Sequence, residues 1–224
     1  MLPGAKQNRT LPRPLKKLGT RLSRFLLAIG SWIVVNGWAA PLPPSSQESE
    51  NLILSRSGQK GSSEWGWNSG GAAGIPGGAG AGGFWTVNLR WGRILTRSLG
   101  TGPLRGTLEY TVEVIPAFVL KESTTVFGGG VNPFLLQYNF VRNRRIVPFI
   151  QAGGGTLFTN QQVPEGTSKV NFTPQAGIGV YMFRRSGSAF TLGIRYHHIS
   201  NAGIVRPNPG HNSLYLYSGI SWWH

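Results

Sequence analysis

A histidine and a serine two residues apart, His198 and Ser200, end an otherwise apolar pattern in the segment 190–200. If this segment is a β-strand, alternation gives one face the side chains Phe190, Leu192, Ile194, Tyr196, His198 and Ser200. An imidazole and a hydroxyl on the same side of a strand can act as a base and the nucleophile that it activates. Because the rest of the face is apolar, the pattern indicates a fatty substrate.

The composition excludes several other chemistries. The 224 residues suit one domain and include no cysteine, which rules out disulfides, thiolate metal sites and cysteine nucleophiles. Because the chain shows no strong zinc or P-loop pattern, we expect no metal and no other cofactor. The formal charge of +15 would ordinarily favour nucleic acid. We expect no nucleic-acid partner, because no recognition helix is evident and the charge is spread over turns and interior positions.

The N-terminus has the pattern of an export signal. Seven basic residues precede residue 25, and the apolar run 25–35 follows them. The next residues, 36–41, read Asn-Gly-Trp-Ala-Ala-Pro, so residues 1–39 are predicted to be a signal peptide cleaved after Ala39. A transmembrane anchor is the alternative, but the strongly apolar run is only 11 residues long. Cleavage would leave 15 basic and 7 acidic residues, net +8, on a bacterial envelope protein.

The rest of the chain divides into a leader and a strand-rich region. Residues 40–61 are rich in Pro, Ser and Gln and are predicted to be a flexible periplasmic leader. Beyond them, apolar residues alternate with a period of two rather than 3.6, and the glycine-rich segment 70–83 is predicted to be a flexible first loop. Eight candidate strands cover residues 62–72, 84–96, 104–116, 132–141, 146–158, 169–183, 188–200 and 212–223.

The connections favour a membrane barrel over a water-soluble sandwich. Short links are predicted after strands two, four and six (96–103, 142–145 and 184–187) and long ones after the others. This asymmetry, the even strand number and the aromatic end at residues 217–224 are typical of outer-membrane barrels. The predicted fold is therefore all-β, an eight-stranded antiparallel transmembrane β-barrel over residues 62–224, integral to the bacterial outer membrane after signal peptide cleavage.

Eight strands leave an interior just wide enough for side chains, so charged residues there must pair. We expect such a structural network from Arg90, Arg105, Glu109, Glu113 and Arg195. His197 has interior parity, whereas His211 and His224 are expected to be exposed. Four aromatic residues are expected at the lipid interface rather than in catalysis: Tyr196, Tyr215, Trp222 and Trp223.

The run 195–203, Arg-Tyr-His-His-Ile-Ser-Asn-Ala-Gly, with Asn208 and Gly210 downstream, resembles the lipid A 3-O-deacylases of the outer membrane, the PagL-type enzymes. The shared features are the His-x-Ser-Asn-Ala-Gly core, the arginine before it and the Asn-x-Gly before the last strand. The resemblance is specific over 188–223 and architectural over 62–187. It implies a cofactor-free serine esterase that removes the 3-O-linked acyl chain of lipid A, with a serine, a histidine and a glutamate on the outer barrel surface.

By position, the resemblance makes Ser200 the nucleophile and His198 the base. The family's glutamate falls 12 residues past the serine, where this chain has Asn212, and no acidic residue follows Glu165. An asparagine can orient an imidazole through its amide oxygen, as in Cys-His-Asn triads, but it stabilises the imidazolium less. We therefore expect attenuated activity, or a third member elsewhere.

Antiparallel pairing of the last two strands could bring Asn212 beside His198 and Ser200 on the lipid face. Three residues are candidate oxyanion donors: Asn201, Gly203 and Asn208. An acyl chain would lie along Phe190, Leu192, Ile194, Leu214 and Leu216. The expected partners are lipid A in lipopolysaccharide and outer-membrane lipids, and a homodimer remains open. The alternative function is a non-enzymatic structural or adhesive barrel that retains the motif as a relic.

Overall fold

The computed structural model describes residues 58–79, 82–141, 145–184 and 188–224. The predicted signal peptide and most of the predicted leader lie outside these residues. The strands are β1 Ser63–Gly74, β2 Gly83–Ile94, β3 Gly106–Lys121, β4 Thr125–Phe140, β5 Ile146–Thr159, β6 Val170–Phe172, β7 Gln175–Phe183, β8 Ser188–Ile199 and β9 His211–Trp223, with a single 3₁₀ turn at Gly102–Leu104. No helix in the described part of the chain is long and apolar enough to span a membrane.

The strands form a closed antiparallel barrel. Strands that are neighbours in sequence pair, except β6 with β7, and β1 closes the ring on β9 with Glu64 opposite Trp223 and Gly74 opposite Ser213. The short β6 and the longer β7 both pair with β5 and together make one strand, interrupted at Thr173 and Pro174. The predicted all-β, eight-stranded barrel is therefore confirmed.

Two strands extend well beyond their predicted bounds, and β1 continues to Gly74, so the first residues of the segment 70–83 belong to a strand and not to the predicted flexible loop. β3 continues past Pro116, because the register between β3 and β4 shifts between Ile115 and Phe118 and a bulge needs no ladder hydrogen bond from proline. β4 begins at Thr125 rather than 132, and its Gly128–Gly130 run lies within the strand. A Cβ at Gly130 would come 2.2 Å from the Thr156 carbonyl oxygen of β5, so glycine permits this close approach.

These extensions overturn part of the predicted asymmetry of the connections. The link between β3 and β4 was expected to be long, but it spans only residues 122–124. The link between β2 and β3 was expected to be short, but it spans residues 95–105 and includes the 3₁₀ turn. We call the end of the barrel with the β1–β2, β3–β4, β5–β6 and β8–β9 connections the site end.

A network of charged and amide side chains fills the middle of the barrel. Glu113 accepts hydrogen bonds from both terminal nitrogens of Arg195 at 2.8 and 2.7 Å and lies 3.4 Å from Arg90 Nη1. Arg90 Nε also pairs with Glu64 at 3.0 Å, while Gln137 and Asn139 donate to Glu109. The predicted network is thus present with Glu64 added. Arg105 is the exception, because it follows the 3₁₀ turn and donates to Ser98 on the surface.

Apolar clusters cover this network at both ends. Towards the site end, the cluster comprises Phe84, Ile115, Phe118, Leu120, Val126, Leu157, Val163, Ile199, Tyr215 and Tyr217. At the opposite end it comprises Val147, Phe149, Tyr181, Ala189 and Trp223. Tyr215 and Trp223 were expected at the lipid interface, and this expectation is wrong because alternation along β9 turns both inward. Trp222 has the opposite parity to these two residues and faces outward.

Candidate functional site

The predicted pairing of Asn212 with His198 is present at the site end. The antiparallel register of β8 and β9 places the two residues directly opposite each other. Both side chains lie on the outer face, in line with exposed Leu192 and Leu214. Asn212 Oδ1 and His198 Nδ1 are 2.5 Å apart. The register of β8 and β9 alone therefore places the imidazole next to the amide.

The contact assigns a tautomer to the imidazole. An amide oxygen carries no proton, so the hydrogen bond requires the proton to be on His198 Nδ1. In the neutral ring, Nε2 then carries the free lone pair. This is the form in which a histidine can take a proton from a hydroxyl at its Nε2 side.

A third residue reaches the same amide oxygen. Tyr196 Oη donates to Asn212 Oδ1 at 2.8 Å, although 43% of the tyrosine is exposed on the outer face. Tyr196 was expected only at the lipid interface, and its contact with Asn212 was not predicted. Alternation puts Tyr196 next to His198 on the same face and diagonal to Asn212 across the strand pair, but it does not show which atoms meet.

Ser200 lies one residue beyond the end of β8. Its N–H donates to the Phe172 carbonyl at 3.1 Å and its carbonyl accepts from the Phe172 N–H at 2.7 Å, which extends the sheet from β8 to β6. Only 8% of the residue is exposed. Among the described residues no hydrogen bond joins the Ser200 hydroxyl to His198. The backbone pairing fixes where Ser200 sits, two residues from His198 along an extended chain.

Gly210 lies against the imidazole. Its φ is +70°, and a Cβ placed there would be 2.5 Å from His198 Cε1 and 3.2 Å from Nε2. The connection between β1 and β2 supports the same region, because Ile75 N–H donates to the Asn212 carbonyl and Ala79 N–H donates to the Gly210 carbonyl. The imidazole is thus bounded by backbone on one side and by Asn212 on another.

Hydrogen bonds of Asn201 and Asn208 hold the connection between β8 and β9 in its conformation. Asn201 Oδ1 accepts from Gly203 N–H at 2.9 Å, Asn201 Nδ2 donates to the Val205 carbonyl, and Asn201 N–H donates to Asn208 Oδ1 at 3.1 Å. The predicted oxyanion donors Gly203 N–H and Asn201 N–H are therefore occupied in this conformation. Asn208 Nδ2 donates to no group among the described residues.

An apolar surface runs from the site along the barrel wall. The predicted acyl-chain contacts all face outward in the described structure: Phe190, Leu192, Ile194, Leu214 and Leu216. Phe172, which pairs with Ser200, is exposed on the same surface and was not among the predicted contacts. The five outward residues of β8 and β9 form an apolar strip that begins next to the polar group, and Phe172 lies on the other side of that group, beside Ser200.

His211 departs from its predicted exposure. Its ring is fully buried, and Nδ1 lies 3.3 Å from Glu122 Oε1 in the β3–β4 connection. Residue 211 has inward parity, so Glu122 meets His211 on the side of β9 opposite to Asn212. Within the described ranges, no group of three or more His, Cys, Asp or Glu side chains is placed to hold a metal ion.

Together, these features define a small barrel of the outer-membrane type with a histidine–serine motif on its outer wall. The chain belongs to the lipid A 3-O-deacylase (PagL) family, whose family model matches residues 79–221, more than half of the chain. The match includes β8, β9 and the connection between them. Fold and family thus support an outer-membrane location.

Solved structures of outer-membrane proteins are similar to this chain. That of the outer membrane enzyme PagL is 21% identical with a TM-score of 0.53, and the alignment covers 70% of this chain and 97% of that chain. OprG from Pseudomonas aeruginosa is 9% identical with a TM-score of 0.48, covering 74% and 97%. Neisserial surface protein A is 14% identical with a TM-score of 0.44, covering 73% and 97%. Among curated proteins, none matches this chain.

Proposed function

We propose that this protein is a serine esterase that removes the 3-O-linked acyl chain of lipid A within the outer membrane. The observation that carries the proposal is the His198–Asn212 contact of 2.5 Å on the outer wall, two residues from Ser200 and inside a match to the deacylase family. A site on the outer wall can act on a substrate that is itself part of the bilayer. A site in the filled lumen could not.

In the proposed mechanism, His198 Nε2 takes the proton of the Ser200 hydroxyl as Ser200 Oγ attacks the ester carbonyl carbon. The tetrahedral intermediate collapses by breaking the bond to the sugar oxygen, and the imidazolium returns the proton to that oxygen. Water then attacks the acyl-serine with its proton going to His198 Nε2, and the second collapse releases the fatty acid and restores the hydroxyl. Asn212 holds Nδ1–H throughout and orients the ring.

Two further parts of the site are assigned roles in the proposal. Among the described residues, Asn208 Nδ2 is the candidate donor without an acceptor, and we assign it to the oxyanion, since the Asn201 and Gly203 N–H groups already donate within the connection. The acyl chain lies along the apolar strip that includes Leu192 and Leu214. The methylene groups of the chain move from lipid to an apolar protein surface. Binding along the barrel wall therefore positions the ester at little desolvation cost.

The proposal is tested by mass spectrometry of lipid A from cells that express the barrel. The unaltered protein should yield lipid A that lacks one 3-O-linked acyl chain, whereas Ser200→Ala and His198→Ala should leave it fully acylated. Ser218→Ala, an exposed outward serine on β9, is the matched control and should deacylate normally. Equal deacylation by the Ser200→Ala and unaltered barrels would refute the nucleophile assignment.

A non-enzymatic barrel is the second candidate. Two observations favour it: Asn212 stands where the family has glutamate, and no hydrogen bond joins the Ser200 hydroxyl to His198 among the described residues. A relic site would gain nothing from a carboxylate at position 212, whereas an attenuated esterase would become faster. The Asn212→Glu variant therefore separates the two functions.

A further inference from the structure

Asn212 differs from the family's glutamate because its amide can be oriented in two ways, and only one of them suits His198 as a base. A carboxylate presents an acceptor to the imidazole from either oxygen, whereas an amide has an acceptor end and a donor end of nearly the same shape. If the amide turned over, its NH₂ group would donate to His198 Nδ1. The proton would then move to Nε2, and Nε2 could no longer act as a base.

The described contacts select the acceptor end. Two groups converge on Asn212 Oδ1, His198 Nδ1 at 2.5 Å and Tyr196 Oη at 2.8 Å. In the turned amide, the imidazole and the phenol would both face NH₂. The imidazole could adapt by accepting through Nδ1, so it exerts little preference by itself. The phenol oxygen could accept from NH₂, but the phenol O–H would then lose the Asn212 acceptor to which it donates, so the phenol favours the acceptor end.

We propose that Tyr196 is a positioning residue that locks the Asn212 amide with its oxygen towards His198, and so keeps the imidazole in the tautomer that can activate Ser200. This inference rests on the proposed esterase function and explains how an amide can stand in for a carboxylate there. The tyrosine does not touch the reacting atoms in this role. It acts through the Asn212 oxygen.

The first test is spectroscopic and needs no activity. Nitrogen-15 NMR of the folded barrel, labelled at histidine and recorded where the imidazole is neutral, distinguishes a protonated Nδ1 from a protonated Nε2. The unaltered protein should show the proton on His198 Nδ1, and Tyr196→Phe should shift part or most of the population to Nε2. An unchanged His198 tautomer in Tyr196→Phe would overturn the proposal, whether or not the protein is an esterase.

The second test is a double-mutant comparison with purified lipid A as substrate. In the Asn212 protein, Tyr196→Phe should lower kcat about tenfold with little change in KM, the equivalent of one hydrogen bond. In the Asn212→Glu protein, the same change should cost less than about twofold, because a carboxylate has no donor end. Equal losses in both backgrounds would assign Tyr196 a general structural or substrate-binding role and contradict the proposal.

Tyr138→Phe is the matched control. Its hydroxyl donates to the Leu104 carbonyl at 2.8 Å, far from the site in the β2–β3 connection. It should leave both the His198 spectrum and kcat unchanged. If the unaltered barrel is inactive on lipid A while the NMR result holds, the proposed function fails and the positioning role of Tyr196 stands.

Discussion

The backbone of Gly210 lies so close to His198 that a single methyl group at residue 210 would overlap the imidazole, 2.5 Å from Cε1. Gly210→Ala should therefore turn the ring away from Asn212 and Ser200. We expect deacylation of lipid A to fall at least about tenfold, because small displacements of catalytic groups are costly. The measurement is the initial rate with purified barrel.

Gly166→Ala is the control for this change. Gly166 has a φ of +79°, close to the +70° of Gly210, but a Cβ there meets no atom within 4 Å. Both variants carry the same backbone strain, about 1 kcal/mol, and only Gly210→Ala adds the contact with His198. Similar rates in the two variants would show that the glycine does not position the imidazole.

Asn212→Glu should make the proposed enzyme faster. A carboxylate stabilises the imidazolium that forms in each transition state, whereas the amide only orients it. Charge-assisted hydrogen bonds are about twice as strong as neutral ones, so a gain of about tenfold in kcat is expected. Rates with purified lipid A measure it. If the variant folds and remains as slow as the parent, the relic-motif alternative gains support.

Glu113→Ala should destabilise the barrel strongly without touching the site. Glu113 is fully buried and pairs with Arg195 at 2.7 Å and with Arg90 at 3.4 Å. Its removal leaves two buried guanidinium groups short of a partner, which costs about 3–5 kcal/mol. Urea unfolding in lipid vesicles, followed by tryptophan fluorescence, reports this loss. Glu165→Ala, on an exposed glutamate, should change stability by less than about 0.5 kcal/mol.

The carboxyl of Glu122 in the β3–β4 connection provides a pH prediction. Burial, and secondly the nearby Glu165 carboxylate, raise the pKa of Glu122 above its ordinary value of 4.5. A raised carboxyl pKa means that ionisation opposes folding. Protonated Glu122 therefore stabilises the folded barrel. Its contribution to the free energy of unfolding is present below pH 4.5 and is lost as pH rises through the raised pKa. Glu165→Gln should lower the pKa of Glu122 in a carbon-13 NMR titration, and an unchanged titration would exclude the repulsion.

The alternation of residues was sufficient to predict the barrel and most of its inside and outside faces. It succeeded in β8 and β9 because a period of two leaves little choice once one face meets lipid. It also predicted that Asn212 would lie beside His198. The same alternation predicted that Glu109 and Glu113 of β3 face the polar interior of the barrel.

The failures arose where the local pattern is overridden by neighbours. Pro116 and Gly128–Gly130 resemble breaks in sequence, but a bulge and close strand packing absorb them into β3 and β4. The Tyr196–Asn212 bond could not be predicted, since alternation says which face a side chain occupies and not which atom it contacts. The occupation of the Gly203 N–H likewise depends on how residues 201–208 fold as a loop.

The mass of the protein during turnover tests the assignment of Ser200 as nucleophile most directly. Purified barrel mixed with lipid A, quenched in acid within one turnover and digested, should carry the acyl group on the peptide that contains Ser200. Ser200→Ala should carry none and release no fatty acid. Fatty acid released by the unaltered barrel without an acylated Ser200 peptide, or released at the same rate by Ser200→Ala, would contradict a Ser200 nucleophile.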